Sequence, residues 1–181
     1  VITLVFGKGE SGKTHWLRHN VTTPPIVGVD PIYQFRELVR TDLETVILHP
    51  DQISRGSLYV DRPDFHFVVG MAIAYGWNLL VDEIDFYTSP HYGEELIRRS
   101  VNTLDSYVRY GRHGKSNLYC ASRRPAEVPD WLIANADRMV LFHLHQAADL
   151  RAVRGFVSAA QLAELPRLPR HKFLDIQLFP E

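Results

Sequence analysis

What this 181-residue chain has little of narrows its class before any motif is read. It holds one cysteine, Cys120, so no disulfide can form within it, which fits a reducing compartment. In the apolar run NLYCAS, Asn117–Ser122, a small buried side chain is the expected role of that cysteine. No apolar run approaches the roughly 18 residues of a membrane span. The basic, apolar and small-residue pattern of a signal peptide is missing as well. No Met opens the chain, which starts inside an apparent strand, and further residues upstream are expected. Charge of one sign is also lacking: 20 Lys and Arg face 21 Asp and Glu, a net charge of −1. A nucleic-acid partner would therefore have to meet a local basic patch or several copies acting together, not a whole-surface field. Internal repeats and low-complexity linkers are not found. The length suits one domain with a substantial core, expected over Val1–Glu181.

Short β-rich runs alternate with longer helical patterns. Strands are expected at Ile2–Phe6, Ile26–Val29, Thr45–Leu48, Asn78–Val81, Leu118–Ala121 and Met139–His143. Helices are expected at Lys13–Asn20, Arg62–Tyr75, Glu94–Tyr110 and Asp130–Ala136. Val, Ile and Leu fill the strands almost continuously, the pattern of a parallel sheet buried on both faces. Strands separated by helical crossovers give an α/β layered fold. After LPRLPR, Leu165–Arg170, a last strand is expected over His171–Leu178, at the sheet edge or against a neighbour.

The most informative stretch is GKGESGKT, Gly7–Thr14, which satisfies G-x-x-x-x-G-K-[ST] between a strand and a helix. Glycines at Gly7, Gly9 and Gly12 let the backbone curl so that N–H groups, those of Lys8, Glu10 and Ser11 included, point at phosphate oxygens. The following helix adds the positive end of its dipole. Lys13 supplies charge for the β- and γ-phosphates, and the Thr14 hydroxyl can ligate Mg²⁺. ATP and Mg²⁺ are the expected cofactors; no base-recognition motif excludes GTP.

A second stretch, NLLVDEID, carries a buried strand to its carboxyl end, where Asp82 and Glu83 emerge. Open α/β sheets bind ligands at that edge. Asp82 would hold Mg²⁺ through water, and Glu83 would orient and polarise the attacking water. Alone, such a run also describes a strand ending in solvated charge; beside a phosphate loop the catalytic reading is the stronger. The paired carboxylates favour hydrolysis over phosphoryl transfer to a small molecule. Asp85 is expected to cap a helix.

Between Tyr107 and Leu144, basic residues precede a strand, a polar SRRP, Ser122–Pro125, ends it, and a further apolar strand follows the VPDWLIANADR helix. With the two nucleotide motifs, this resembles the FtsK/HerA superfamily of DNA-pumping ATPases. Within that clade it resembles the similarly short genome-packaging ATPases of membrane-containing and archaeal icosahedral viruses. IVGVDP, Ile26–Pro31, is similar to the family's second strand, so the resemblance spans Val1 to about Leu150. It implies a RecA-like (ASCE) P-loop NTPase fold and a homo-oligomeric ring, a hexamer, that moves double-stranded DNA. It also implies a viral portal or capsid vertex as partner and a place in the host cytoplasm or with the virion. By position Arg112 would be an arginine finger reaching a neighbour's γ-phosphate, with Arg109 a second candidate. Arg123 stands where the family usually has a phosphate-sensing Gln, so Arg123 itself or Ser122 would take that task. A filamentous-phage assembly ATPase of the Zot type and a small-molecule kinase are the alternative functions.

Other conspicuous residues have plainer readings. His15 and His19, four apart on a helix, and His143 and His145, alternating on a strand, are spaced as metal ligands without a visible third partner. Trp16, Trp77 and Trp131 are read as packing residues rather than base-stacking platforms. RYGRHGK, SRR and LPRLPRHK are ordinary surface charge or, in a ring, loops that meet DNA phosphates without reading sequence.

Overall fold

The protein is described from a computed structural model, which defines all residues except 32, 33, 59, 90–93, 112–115, 180 and 181. Among the described residues eight strands form one sheet: β1 (Ile2–Phe6), β2 (Ile26–Val29), β3 (Val39–Arg40), β4 (Arg55–Leu58), β5 (Asn78–Val81), β6 (Leu118–Ser122), β7 (Arg138–Leu141) and β8 (Leu174–Gln177). Their order is β3-β4-β2-β5-β6-β1-β7-β8, and every pairing is parallel except β7 with β8. The helices are α1 (Lys13–Asn20), α2 (Leu43–Leu48), α3 (Phe65–Tyr75), α4 (Ile84–Thr88), α5 (Glu94–Gly111), α6 (Asp130–Ala134), α7 (Ala147–Val153) and α8 (Ala159–Glu164).

Alternation along the strands divides the core between two faces. Val5, Leu80, Ala121 and Val140 meet Trp16 and Leu17 of α1. Leu4, Phe6, Leu79, Val81, Cys120 and Leu141 face the layer of α3 and α5, with Val68, Val69, Leu104 and Tyr107. Central strands buried on both sides require the continuous apolar runs seen in the sequence. Cys120 is fully buried, and desolvation raises its thiol pKa, so it is a packing residue. Trp16 and Trp77 are buried and Trp131 is partly buried against the core.

Three expectations need correction. Thr45–Leu48 is not a strand but the body of α2. Asp42 caps that helix by accepting from the Thr45 N–H at 2.7 Å, and only Val46 of the run is buried. A good cap outweighs the β-branched Thr-Val-Ile composition when one buried residue, not an alternating set, meets the core. Strand β7 stops at Leu141, so His143 and His145 lie beyond it with rings 5.4 Å apart. Asp85 sits inside the first turn of α4, and the capping position belongs to Glu83. Strands β3 and β4 and helices α7 and α8 lie outside the expected elements; β4 reads RGSL and carries no apolar pattern.

Candidate active site

Adjacent parallel strands β1, β6 and β5 end at one edge, and the catalytic candidates sit on the turns that follow. The phosphate loop leaves β1 with the Gly7 N–H donating to the Ser122 carbonyl at 3.2 Å, which ties it to β6. Gly12 precedes α1 at φ 111°, a left-handed conformation, and a side chain there would press on His171 and Phe142, 3.2 Å from the position of its Cβ. Gly9 has open space around it, and Glu10 (φ 61°) rather than Gly9 takes a left-handed conformation.

Lys13 is 8% exposed and its Nζ donates to the carbonyls of Gly7 (2.6 Å) and Lys8 (3.2 Å). Burial lowers its pKa, and Glu83 and Asp82 partly oppose that shift. A buried ammonium beside inward-curled backbone is arranged to accept an anion.

Asp82 and Glu83 follow β5 at the same edge. Asp82 is 4% exposed and accepts from the Glu83 N–H at 3.1 Å. Its pKa is raised to about 7, by desolvation first and then by the neighbouring carboxylates Glu83 and Asp30. This crowding of acids, in the cleft that Thr14 also lines, fits a divalent cation, which would relieve it. Glu83 is held at φ 51°, left-handed, a strained conformation that marks functional turns. Its Oε1 accepts from Arg123 Nε at 2.8 Å.

The two arginines of SRRP separate. Arg123 turns into the nucleotide cleft, whereas Arg124 turns away and pairs with the buried Asp149 of α7 at 2.9 Å and with Glu127 at 3.3 Å. Ser122 is fully buried and its hydroxyl accepts the Arg124 N–H at 3.0 Å, so its polar group serves the turn rather than the cleft. Arg109 is exposed at the end of α5 and pairs with Asp105 at 2.7 Å, away from its own chain's cleft. Arg112 lies outside the described residues. His15 and His19 have rings 4.2 Å apart, and no set of three metal-ligating side chains occurs among the described residues.

Sequence reasoning missed the other walls. The segment before β8 folds back on the phosphate loop: Arg170 pairs with Glu10 at 3.0 Å, and His171 Nδ1 lies 3.3 Å from the Ser11 carbonyl. Phe173 sets its ring 5.3 Å from that of Phe142, and Arg138 stacks on Trp16 at 4.9 Å. On the opposite side Gln34, from the loop after β2, accepts from the Thr14 hydroxyl at 2.7 Å. The basic LPRLPRHK composition hinted at phosphate contact, though of a different kind. Nothing in the local sequence marks Gln34.

The cleft between these walls measures about 1380 Å³, ample for a nucleoside triphosphate. No family model and no curated protein sequence matches the chain. Solved structures do. The genome packaging NTPase B204 from Sulfolobus turreted icosahedral virus 2, in complex with AMPPCP, superposes with a TM-score of 0.77 at 15% identity, covering 98% of this chain and 92% of that one. The fold is that of a P-loop NTPase. VirB4 of Thermoanaerobacter pseudethanolicus matches at 0.68 and 10% identity, over 99% and 89% of the two chains. The conjugation coupling protein TcpA of pCW3, in its monomer form with ATPγS, matches at 0.59 and 13%, over 97% of this chain but 57% of that one. At the level of fold these neighbours agree with the FtsK/HerA resemblance. No helix among the described residues is long and apolar enough to cross a membrane.

Proposed function

We propose that this P-loop NTPase fold serves as a Mg²⁺-dependent ATPase that drives double-stranded DNA as one subunit of a homo-oligomeric ring, in the packaging of a viral genome. The observation that carries hydrolysis is the convergence of Lys13 and Thr14 with the buried Asp82 and the strained Glu83 at one sheet edge. The packaging role is supported by likeness in fold to a packaging NTPase, over 98% and 92% of the two chains. Host cytoplasm or the virion, with a portal or capsid vertex as docking partner, follows from the same role.

The residues divide the work. Backbone N–H groups of Gly7–Thr14 cradle the phosphates, and Lys13 exchanges its carbonyl partners for β- and γ-phosphate oxygens. Thr14 and Asp82 would hold Mg²⁺, which when bound draws charge from the phosphate oxygens. Glu83 accepts the proton of the attacking water once released from Arg123, which is placed to follow the terminal phosphate. Arg112 would complete a neighbour's site as a finger. A carboxylate at the water position favours hydrolysis over a small-molecule kinase.

DNA-stimulated ATP turnover tests the proposal. Stimulation severalfold by double-stranded DNA of any sequence is expected, weakening as salt rises. Turnover indifferent to DNA at low salt, in demonstrably assembled rings, would remove the translocase reading and leave an ATPase of another purpose.

A further inference from the structure

Gln34, in the loop after β2, lines the cleft from the β5 side, opposite the Arg170–Phe173 segment, and the residues around it are held in place. Phe35 is 3% exposed, and its N–H donates to Asp30 Oδ2 at 2.8 Å. Arg18 of α1 donates to the Gln34 carbonyl and pairs with Glu37 at 3.3 Å. The Gln34 side chain is therefore delivered to the cleft by a braced backbone. Its Oε1 accepts the Thr14 hydroxyl proton at 2.7 Å, which fixes the rotation of the amide. The amide nitrogen Nε2, a donor of two hydrogens, has no partner among the described residues.

Three facts locate what Nε2 meets. Thr14 and Lys13 mark the β- and γ-phosphate end of the loop. The β2 loop shares the side of the sheet that carries Asp82 and Glu83, where water must attack. Arg123, which follows β6, is engaged with Glu83. We infer that Gln34 is a positioning residue for the terminal phosphate: Oε1 orients the Thr14 hydroxyl so that its lone pairs face the cleft, and Nε2 donates to a γ-phosphate oxygen. This inference rests on the nucleotide-site reading above.

The test is the ratio of affinities for ATPγS and ADP, measured by calorimetry on the full chain. Gln34→Ala should weaken ATPγS by about 10- to 100-fold more than ADP, the effect of losing one hydrogen bond to a charged phosphate. With Mg²⁺ withheld from both titrations, the metal-mediated part of any loss through the Thr14 hydroxyl is removed, and its remaining effect on the phosphate loop falls on both nucleotides and cancels in the ratio. Gln34→Glu keeps the acceptor for Thr14 but sets a negative charge against the γ-phosphate, so its ratio should fall further still. An unchanged ratio in both variants overturns the role of Gln34, because a residue that only covers the phosphate loop affects both nucleotides alike. A wild-type chain that binds neither nucleotide overturns the underlying nucleotide reading along with it.

Discussion

Replacing Asp82 by Asn should stabilise the nucleotide-free protein, and by an amount that depends on pH. Asp82 titrates near 3.8 when solvated and at about 7 in the fold, because burial and the nearby Glu83 and Asp30 disfavour its charged form. The native state thus binds this proton more tightly than the unfolded chain does. Its contribution to stability is fully present below the unfolded pKa and is lost as pH rises through the folded one. At about 1.4 kcal/mol per unit, the complete loss is of order 4 kcal/mol by pH 8. Asn has nearly the same shape and no charge to desolvate, so the variant should escape most of it. Between pH 5 and pH 8 the stability gap in favour of Asp82→Asn should widen by about 2–3 kcal/mol. That gap is readable by urea denaturation, and near neutral pH it corresponds to roughly 5–10 °C in melting temperature for a chain of this size. Subtracting the wild-type curve removes the titration of every other group. Lys13 would lose one favourable neighbour in the variant, a smaller effect of opposite sign. Nucleotide with Mg²⁺ should narrow the gap by stabilising only the wild-type carboxylate. A gap that stays constant with pH, or a variant less stable than wild type at pH 8, would falsify the picture of Asp82 as a buried acid whose charge the fold disfavours.

Other outcomes follow from the same geometry. Lys13→Ala should lose nucleotide binding, whereas Glu83→Gln should bind ATP normally and hydrolyse it about 10²–10⁴-fold more slowly; wild-type turnover in Glu83→Gln would displace Glu83 from the water. The neighbouring arginines should behave differently. Arg124→Ala leaves the buried Asp149 without its arginine partner and should cost about 2 kcal/mol in urea denaturation, discounted because Arg124 is a third exposed. Arg123→Ala breaks an exposed pair, so stability should stay within about 1 kcal/mol while turnover falls about 10²-fold. Equal stability losses in both variants would contradict the division between them. Arg112→Ala should bind ATP yet lose 10³–10⁵ in rate, and mixing it with Lys13→Ala chains should restore part of the activity. No recovery in demonstrably mixed rings would place the finger elsewhere, with Arg109 the first residue to examine.

The local sequence by itself determined the sheet centre and the chemistry of its edge. Strands β1, β2, β5 and β6 are short apolar runs with both faces covered, and that burial writes itself into every residue rather than every second one. Gly7, Gly12, Lys13 and Thr14 are legible for a similar reason: a tight backbone turn with a buried ammonium admits few residue types. Tertiary structure decided the periphery. TVIL became helix α2 because Asp42 caps it and only Val46 is needed inward, a choice invisible to local propensity. RGSL became a strand because β2 offers a free parallel edge, not because its residues favour one. Two adjacent arginines received different tasks because β6 ends at Ser122, just before them, and the cleft lies on one side of the turn, Asp149 on the other. Gln34 and His171 reach the phosphate loop across 20 and 160 positions of chain. Contacts so distant leave no periodicity or spacing in the sequence; only the folding of the β2 loop and of the segment before β8 onto Gly7–Thr14 brings them together.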